Sequence, residues 1–175
     1  MNLCNKMAVG ENTQWDFRLA RQEDAQKVFS LYQDAQKGEF CVWDESYPTM
    51  HEIAHDLETN NLHVMTCGGK TVGAISVVPE NELDNFACWS CSGGKEIARV
   101  VVDKAFQGKG ISYEMVQKVE TILRQEGCGA IHLSVVKTNI PAYKTYIKAG
   151  FAVVGEAQMY GNDYYLMEKL LICRK

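Results

Sequence analysis

A short glycine-containing segment, Gln107-Gly108-Lys109-Gly110-Ile111-Ser112, has the residue types of a phosphate-binding turn. It follows the apolar run 97–102 and precedes a long amphipathic stretch, so a strand, a turn and a helix are predicted in that order. The first N–H groups of a helix lack intrahelical partners and lie at the positive end of the helix dipole, where they attract phosphate. Gly108 and Gly110 carry no Cβ, so a pyrophosphate can approach the main chain. The segment therefore predicts a site for a phosphorylated ligand.

Two common phosphate-binding motifs do not fit this segment. A P-loop has the pattern G-x-x-x-x-G-K-[ST]. Here Asp103 stands where its first glycine belongs, and Gly110 stands where Ser or Thr is required. A dinucleotide fingerprint has the pattern G-x-G-x-x-G, and Tyr113 occupies the position of its third glycine. Taken alone, the segment is also compatible with an ordinary turn whose glycines are solvated.

A second pattern lies downstream, where residues 139–151 read Asn-Ile-Pro-Ala-Tyr-Lys-Thr-Tyr-Ile-Lys-Ala-Gly-Phe. This stretch is similar to N-x-x-A-x-x-x-Y-x-x-x-G-F, the second signature of the GNAT superfamily of N-acetyltransferases. Segment 107–112 resembles the first signature of that family, [QR]-x-x-G-x-[GA], with Ser112 where the family has Gly or Ala. Residues 99–103 look like the fourth strand of the family. The two signatures occur in the family's order and spacing, and the resemblance extends loosely from Phe17 to the end of the chain.

The resemblance implies acetyl-CoA as a cosubstrate. Main-chain amides of the first signature would hold the pyrophosphate of coenzyme A. The fourth and fifth strands would part at one end and admit the pantetheine arm, and backbone N–H groups near Val101 and Val102 would donate to the acetyl carbonyl. Lys109 is either a partner of a phosphate or simply exposed. The cofactor-binding residues implied in this way are Val100, Val101, Val102, Gln107, Gly108, Lys109, Gly110, Ile111, Ser112, Asn139 and Tyr146.

Two side chains are candidates for catalysis. An alkylamine with a pKa near ~10.4 is mostly charged at neutral pH and must lose a proton before it attacks a thioester. Glu96, at the start of the predicted fourth strand, is the candidate base. A water chain as the base and a merely solvated glutamate are the alternatives. Tyr146 falls on the tyrosine of the second signature, which implies that it protonates the departing thiolate or at least donates a hydrogen bond to the sulfur. The alternative for Tyr146 is a core tyrosine on an amphipathic helix. Asn139 is predicted to cap that helix and also to contact the coenzyme arm.

The candidate acceptor site is the segment that contains Trp43, Asp44, Glu45 and Tyr47. Its aromatic rings and carboxylates could bind a cationic amine through charge pairing and cation–π contact. In the fold that the chain resembles, the connection between the first two helices borders the acceptor site. The alternative is an acidic surface loop whose two aromatic side chains are packed into the core.

Composition limits the other classes of function. The chain has 175 residues, of which 46% are hydrophobic, and a net charge of −4. We expect one domain over residues 15–175, preceded by a flexible segment 1–14. No apolar run of ~20 residues predicts a membrane span, and the start of the chain lacks a signal-peptide core, so a cytoplasmic protein is expected. The chain has no basic stripe for nucleic acid. Cys88 and Cys91 lack a second ligand pair, so no metal is expected.

Hydrophobic periodicity predicts the element order β-α-α-β-β-β-α-β-α-β-β. Thr49-Met50-His51-Glu52 predicts a capping box at the start of the second helix. That order alone establishes a mixed α/β or α+β fold. The resemblance implies the GNAT fold, with a mixed central sheet of about seven strands flanked by four helices. The implied function is acetyl-CoA-dependent N-acetylation of a primary amine on a small molecule, amino acid or peptide, by direct attack in a ternary complex. A non-catalytic acetyl-CoA sensor or interaction module is the alternative. The sequence does not fix the oligomeric state; the resemblance allows a homodimer, because dimers are frequent in the superfamily.

Overall fold

A computed structural model describes residues 14–79 and 82–171. The strands are β1 Trp15–Leu19, β2 Leu62–Cys67, β3 Lys70–Val78, β4 Lys95–Val102, β5 Ala130–Val136, β6 Ala152–Met159 and β7 Asn162–Leu170. The helices are α1 Ala25–Gln36, α2 Met50–Glu58, α3 Ile111–Gln125 and α4 Ile140–Lys148. The predicted N-terminal segment 1–14 lies, apart from Gln14, outside the described residues, and the single domain over residues 15–175 stays a prediction.

The strands form one sheet in the order β1-β2-β3-β4-β5-β7-β6. Neighbouring strands are antiparallel except β4 and β5, which run parallel and are connected through α3. Within the described residues the seven strands and four helices follow the predicted element order. The expectation of a mixed central sheet of about seven strands flanked by four helices is therefore confirmed.

The two faces of the sheet carry separate hydrophobic cores. Ala74 and Ile75 are adjacent on β3 and therefore point to opposite faces. Ala74 packs in the core that contains residues of α1 and α2, whereas Ile75 packs in the core that contains residues of α3 and α4. We call these two sides the α1/α2 face and the α3/α4 face. Among the described residues, no helix is long and apolar enough to cross a membrane.

Local sequence signals explain where two of the helices begin. Thr49 caps α2, since its Oγ1 accepts the His51 N–H at 3.2 Å. The Glu52 carboxylate in turn accepts the Thr49 N–H at 2.6 Å, which completes the predicted capping box. Asn139 caps α4, with its Oδ1 accepting the Ala142 N–H at 3.2 Å. Both predicted caps are confirmed.

His63 on β2 is a buried titratable group of the fold. Its ring stacks on Phe17 at 5.4 Å between centroids, and its Nδ1 has no hydrogen-bond partner among the described residues. Burial lowers the pKa of His63 below the ordinary value of 6.5. Between that lowered pKa and 6.5 the unfolded chain binds more protons than the folded chain. Stability therefore falls as the pH drops through this window.

Replacement of His63 by Phe keeps a ring against Phe17 and removes this titration. We expect the urea midpoint of His63→Phe to exceed that of the wild type by more at pH 5.5 than at pH 8, because only the wild type must hold a neutral imidazole at low pH. Urea unfolding at the two pH values measures this difference. An equal gap at both pH values would contradict the assignment.

Candidate functional site

Strands β4 and β5 part shortly after they begin. They pair only at Lys95 with Ile131 and at Glu96 with His132. From Ile97 to Val102 the edge of β4 that faces β5 has no strand partner among the described residues, while its other edge stays paired with β3 as far as Val102. The predicted parting of these strands is confirmed. Backbone N–H and C=O groups along this edge are left for water or a ligand.

A β-bulge interrupts β4 beside the open edge. Ala98 lies opposite Ser76 and Val101 lies opposite Ala74, so two residues of β4 face one residue of β3. Arg99 within the bulge has a φ of 51°, which is uncommon for a residue with a side chain. Ile97 consequently packs on the α3/α4 face and Val101 on the α1/α2 face. In a regular strand, residues four apart share a face. The bulge therefore shifts the alternation of β4 side chains by one residue, so that positions after it point to the opposite face of the sheet from the one a regular strand would give.

The bulge directs the Arg99 side chain to the α1/α2 face, where it pairs with Asp56 of α2. Arg99 Nη2 lies 2.7 Å and 3.0 Å from the two carboxylate oxygens of Asp56. Ser76 Oγ also donates to Asp56 Oδ2 at 2.6 Å, and Arg99 Nη1 donates to the Tyr47 hydroxyl at 3.0 Å. The Asp56 side chain is buried, and that of Arg99 is 11% exposed. Sequence reasoning missed this pair. One signal was available, because Asp56 lies three residues after Ile53 on the otherwise apolar stripe of α2.

Glu96, the candidate base, lies on the same face as this ion pair. Glu96 and Ala98 flank Ile97 on β4, and they therefore point away from the α3/α4 face. Glu96 is half-buried and pairs in register with Val78 and with His132, at the end of the split where β4 and β5 still meet. Its role as a base stays a prediction.

The glycine turn leads from β4 into α3. Gly108 and Gly110 have φ angles of 73° and 79°, which glycine adopts without strain. A Cβ placed at either position would meet nothing within 4 Å, so the turn is open on that side. Gly110 is the N-cap of α3 and offers no capping side chain, which leaves the first N–H groups of the helix without a side-chain cap.

The side chains around the turn hold it in place. The Gln107 amide donates to the Val102 carbonyl at 3.2 Å, which connects the turn to the end of β4. Lys109 is exposed, and its ammonium lies over the Phe106 ring at 4.8 Å from the centroid. The remaining predicted cofactor-binding residues of this region are half-buried or buried: Val100, Val101, Ile111 and Ser112. The structure brings these residues together at one end of β4, and their contact with a ligand stays a prediction.

Tyr146 lies on α4 and packs in the α3/α4 core against Phe151, with 5.8 Å between ring centroids. Its ring is therefore part of the core, and its role as an acid stays a prediction. Its hydroxyl has no hydrogen-bond partner among the residues that the structure describes. Burial raises the pKa of Tyr146 well above its ordinary value of 10. The phenol therefore keeps its proton at neutral pH, which a general acid requires.

The predicted acceptor segment divides into two parts. Tyr47 contacts Arg99 of β4 through its hydroxyl, and its ring packs edge-on to Trp43 at 6.4 Å. Asp44 instead accepts hydrogen bonds from the Ser46 hydroxyl at 2.5 Å and the Ser46 N–H at 2.8 Å, which lower the pKa of its exposed carboxyl. An open groove of about 780 Å³ lies against α1 and is lined by Ser30, Gln33, Asp34, Gln36, Lys37, Trp43, Asp44, Glu45 and Ser46.

Buried polar groups hold the Cys88–Cys91 loop against β5 and β7. Glu168 accepts the N–H groups of Ser90 at 3.0 Å and Cys91 at 3.2 Å, and it also lies 3.0 Å from His132 Nε2. The His132 ring stacks on Trp89 at 4.2 Å. Among the described residues, no group of three or more His, Cys, Asp or Glu side chains is arranged to hold a metal ion.

The open edge of β4, the uncapped turn before α3 and the sheet order define the class of protein. Residues 22–151 match the acetyltransferase (GNAT) family, and the chain belongs to that family.

Three known proteins illustrate the similarity. The chain is 30% identical over 91 residues to "Probable spermine N(1)-acetyltransferase" of Bacillus subtilis subsp. natto (strain BEST195), a match that covers 51% of this chain and 57% of the relative. A Salmonella typhimurium protein, solved with its cofactor acetyl-CoA, has a TM-score of 0.75 at 18% identity, over 93% of this chain and 97% of that chain. The ribosomal-protein-alanine N-acetyltransferase of Brucella melitensis has a TM-score of 0.71 at 21% identity, over 88% and 98%. The two structures share the fold.

Proposed function

We propose that this chain is an acetyl-CoA-dependent N-acetyltransferase, which moves an acetyl group to a primary amine of a small molecule, amino acid or peptide in a ternary complex. The observation that carries the proposal is the open edge of β4 between Ile97 and Val102, next to the uncapped turn before α3. The edge offers backbone partners to an extended amide-containing arm, and the turn offers N–H groups to a pyrophosphate. Coenzyme A carries both chemical groups.

On the donor side, each element has one role. The amides of segment 107–112 bind the pyrophosphate, and the backbone of 100–102 pairs with the pantetheine arm and donates to the acetyl carbonyl. Asn139 contacts the same arm while it caps α4. Acetyl-CoA supplies the activated thioester carbon and a thiolate leaving group. The Salmonella typhimurium structure that contains acetyl-CoA supports this assignment through its similarity in fold.

The proton transfers lie on opposite faces of the split. Glu96, directly or through a water chain, removes one proton from the ammonium group of the acceptor, and the free amine attacks the thioester carbon and forms the new C–N bond. The nitrogen passes its second proton to solvent through the same route as the tetrahedral intermediate collapses, which leaves a neutral amide. Tyr146 donates its proton to the sulfur as the C–S bond breaks, and it regains a proton from solvent. The phenol is protonated when the thiolate departs, as a proton donor must be, but burial raises its pKa and makes it a weaker acid. The role of Tyr146 is therefore supported by its place in the second signature and not by its pKa.

The acceptor side is proposed to include Trp43, Asp44, Glu45 and Tyr47. The Asp44 carboxyl, whose pKa is lowered, is ionised at neutral pH and attracts a cationic amine, and the Trp43 ring adds a cation–π surface. The partial similarity to a spermine N-acetyltransferase supports a polyamine as an acceptor to be tried first. The similarity in fold to a ribosomal-protein-alanine N-acetyltransferase makes an alanine peptide the second choice.

The experiment that tests the proposal is release of free thiol from acetyl-CoA in the presence of an acceptor panel. The panel contains spermine, a peptide with N-terminal alanine, and free amino acids. Thiol release that depends on one of these amines supports an enzyme. Binding of coenzyme A without turnover on any acceptor would instead support a sensor. No binding at millimolar coenzyme A would leave only an interaction module.

We expect Gly110→Ala to weaken coenzyme A binding by about tenfold or more, because a side chain at a φ of 79° distorts the turn that presents the amides. Isothermal titration with coenzyme A measures the dissociation constant. The matched control is Gly127→Ala, which introduces similar strain at a φ of 74° just beyond the other end of α3. Equal weakening in both variants would show that strain alone is responsible and would contradict the phosphate site.

Tyr146→Phe removes the proposed acid and keeps the ring in the core. We expect kcat to fall by about 10²-fold, in the range of a lost general acid. The dissociation constant of coenzyme A should remain within about twofold, since the interaction is made mainly in the transition state. Tyr143→Phe is the control, since Tyr143 lies on the same helix and packs against Tyr165. Wild-type turnover in Tyr146→Phe would rule out the role of this tyrosine.

Glu96→Gln removes the proposed base with little change in shape. We expect kcat/KM to fall about 10²-fold near pH 7. The deficit should shrink as the pH rises toward ~10.4, because a free amine then needs no base. A pH–rate profile of the variant measures this, with Glu58→Gln at the exposed end of α2 as the control. If Glu96→Gln keeps activity within about threefold at pH 7, another group is the base.

A further inference from the structure

Arg99 combines two unfavourable features at one position. Its backbone is in the left-handed region with a φ of 51°, and its charged side chain is only 11% exposed. A strained backbone persists only where the surrounding structure imposes it, and such positions cluster at functional sites. A buried charge likewise persists only when it is paired and hydrogen-bonded. The contacts that Arg99 makes with its neighbours therefore indicate its role.

Both carboxylate oxygens of Asp56 bind Arg99. They accept from Arg99 Nη2 at 3.0 Å and 2.7 Å, and one of them also accepts from Ser76 Oγ at 2.6 Å. A buried carboxylate in this arrangement is an anchor and not a free base. The pair is neutral overall, so it does not repel a cationic amine at the same face of the sheet.

The second terminal nitrogen of Arg99 orients a tyrosine. Arg99 Nη1 donates to the Tyr47 hydroxyl at 3.0 Å, so the hydroxyl oxygen is the acceptor in that contact. Its own hydrogen has no acceptor within residues 14–79 and 82–171. Tyr47 is 39% exposed, and its ring is held edge-on by Trp43. The hydroxyl is therefore a hydrogen-bond donor of fixed position between solvent and the bulge of β4.

We propose that Arg99 and Asp56 are positioning residues that hold the Tyr47 hydroxyl as a hydrogen-bond donor to the acceptor substrate. The substrate class that fits is an amine with an oxygen lone pair close to its reacting nitrogen, as in an amino acid or at the N-terminus of a peptide. Tyr32, buried against Trp43 on the same face, stays a neutral phenol because burial raises its pKa. The inference rests on the proposed function, since it assigns the acceptor side of that site.

The first test removes only the hydroxyl. Tyr47→Phe should raise the KM of the acceptor about tenfold, the effect of one lost hydrogen bond, and leave the KM of acetyl-CoA unchanged. The acceptor is the alanine peptide or a free amino acid, whichever the wild type turns over faster, because each carries an oxygen beside its reacting amine. A wild type that turns over spermine alone would overturn the inference, because the other nitrogens of spermine are protonated at neutral pH and have no lone pair. Tyr160→Phe is the control, because Tyr160 is 70% exposed at the turn between β6 and β7. An unchanged acceptor KM in Tyr47→Phe would overturn the inference.

The second test asks whether Arg99 acts through Tyr47. The double variant Arg99→Gln/Asp56→Asn removes both charges at once, so that neither is left buried and alone. It should raise the acceptor KM by the same factor as Tyr47→Phe. Adding Tyr47→Phe to the double variant should then produce no further rise, since residues that act in series are not additive. If adding Tyr47→Phe multiplies the rise in acceptor KM, Tyr47 and the Arg99–Asp56 pair act independently, and the positioning role is wrong.

The outcomes distinguish a failure of the proposed acetyltransferase function from a failure of the inference about Tyr47. A wild-type chain that turns over no acceptor of the panel overturns both, because no acceptor then exists for Tyr47 to bind. Wild-type turnover with an unchanged acceptor KM in Tyr47→Phe overturns only the present inference. If the double variant does not fold, as judged by circular dichroism, the comparison of Tyr47→Phe with Tyr160→Phe decides the question alone.

Discussion

The unpaired edge of β4 is the constraint on which the rest of the structure depends. A strand in the middle of a sheet normally pairs on both sides, because a buried backbone group without a partner is strongly unfavourable. Here the pairing with β5 ends after Glu96, although β3 remains paired on the other side as far as Val102. The two strands are parallel and joined through α3, which allows them to diverge without breaking a hairpin. The turn that begins α3 therefore lies at the end of the same open edge.

The bulge at Arg99 changes which residues of β4 point to each face of the sheet. Before the bulge, Ile97 packs with α3 and α4, and after it Val101 packs with α1 and α2. The same local change turns the Arg99 side chain toward Asp56. Packing of the two cores and placement of the buried ion pair are thus consequences of one backbone irregularity. Bulges of this kind redirect side chains next to functional sites.

In the proposed reaction, the split separates acid from base. Tyr146 packs on the α3/α4 face, and Glu96 lies on the α1/α2 face with Arg99 and Asp56. A thioester carbonyl held in the plane of the sheet would be approached by the amine from one face and protonated at sulfur from the other. In this arrangement the proton removed from the amine and the proton given to the sulfur are transferred on opposite faces of the sheet. The gap between β4 and β5 gives the thioester access to both faces.

Local patterns in the sequence were sufficient for the elements and for the turn. The caps at Thr49 and Asn139 and the glycines at positions 108 and 110 act on residues within a few positions of themselves, so periodicity and residue type predict them. The tertiary structure alone decided how far β4 and β5 pair, where the bulge lies, and that Asp56 meets Arg99, 43 residues away. In the sequence Arg99 is only a charged residue in an apolar strand. Its partner is determined by the packing of α2 on the sheet, which no local pattern contains.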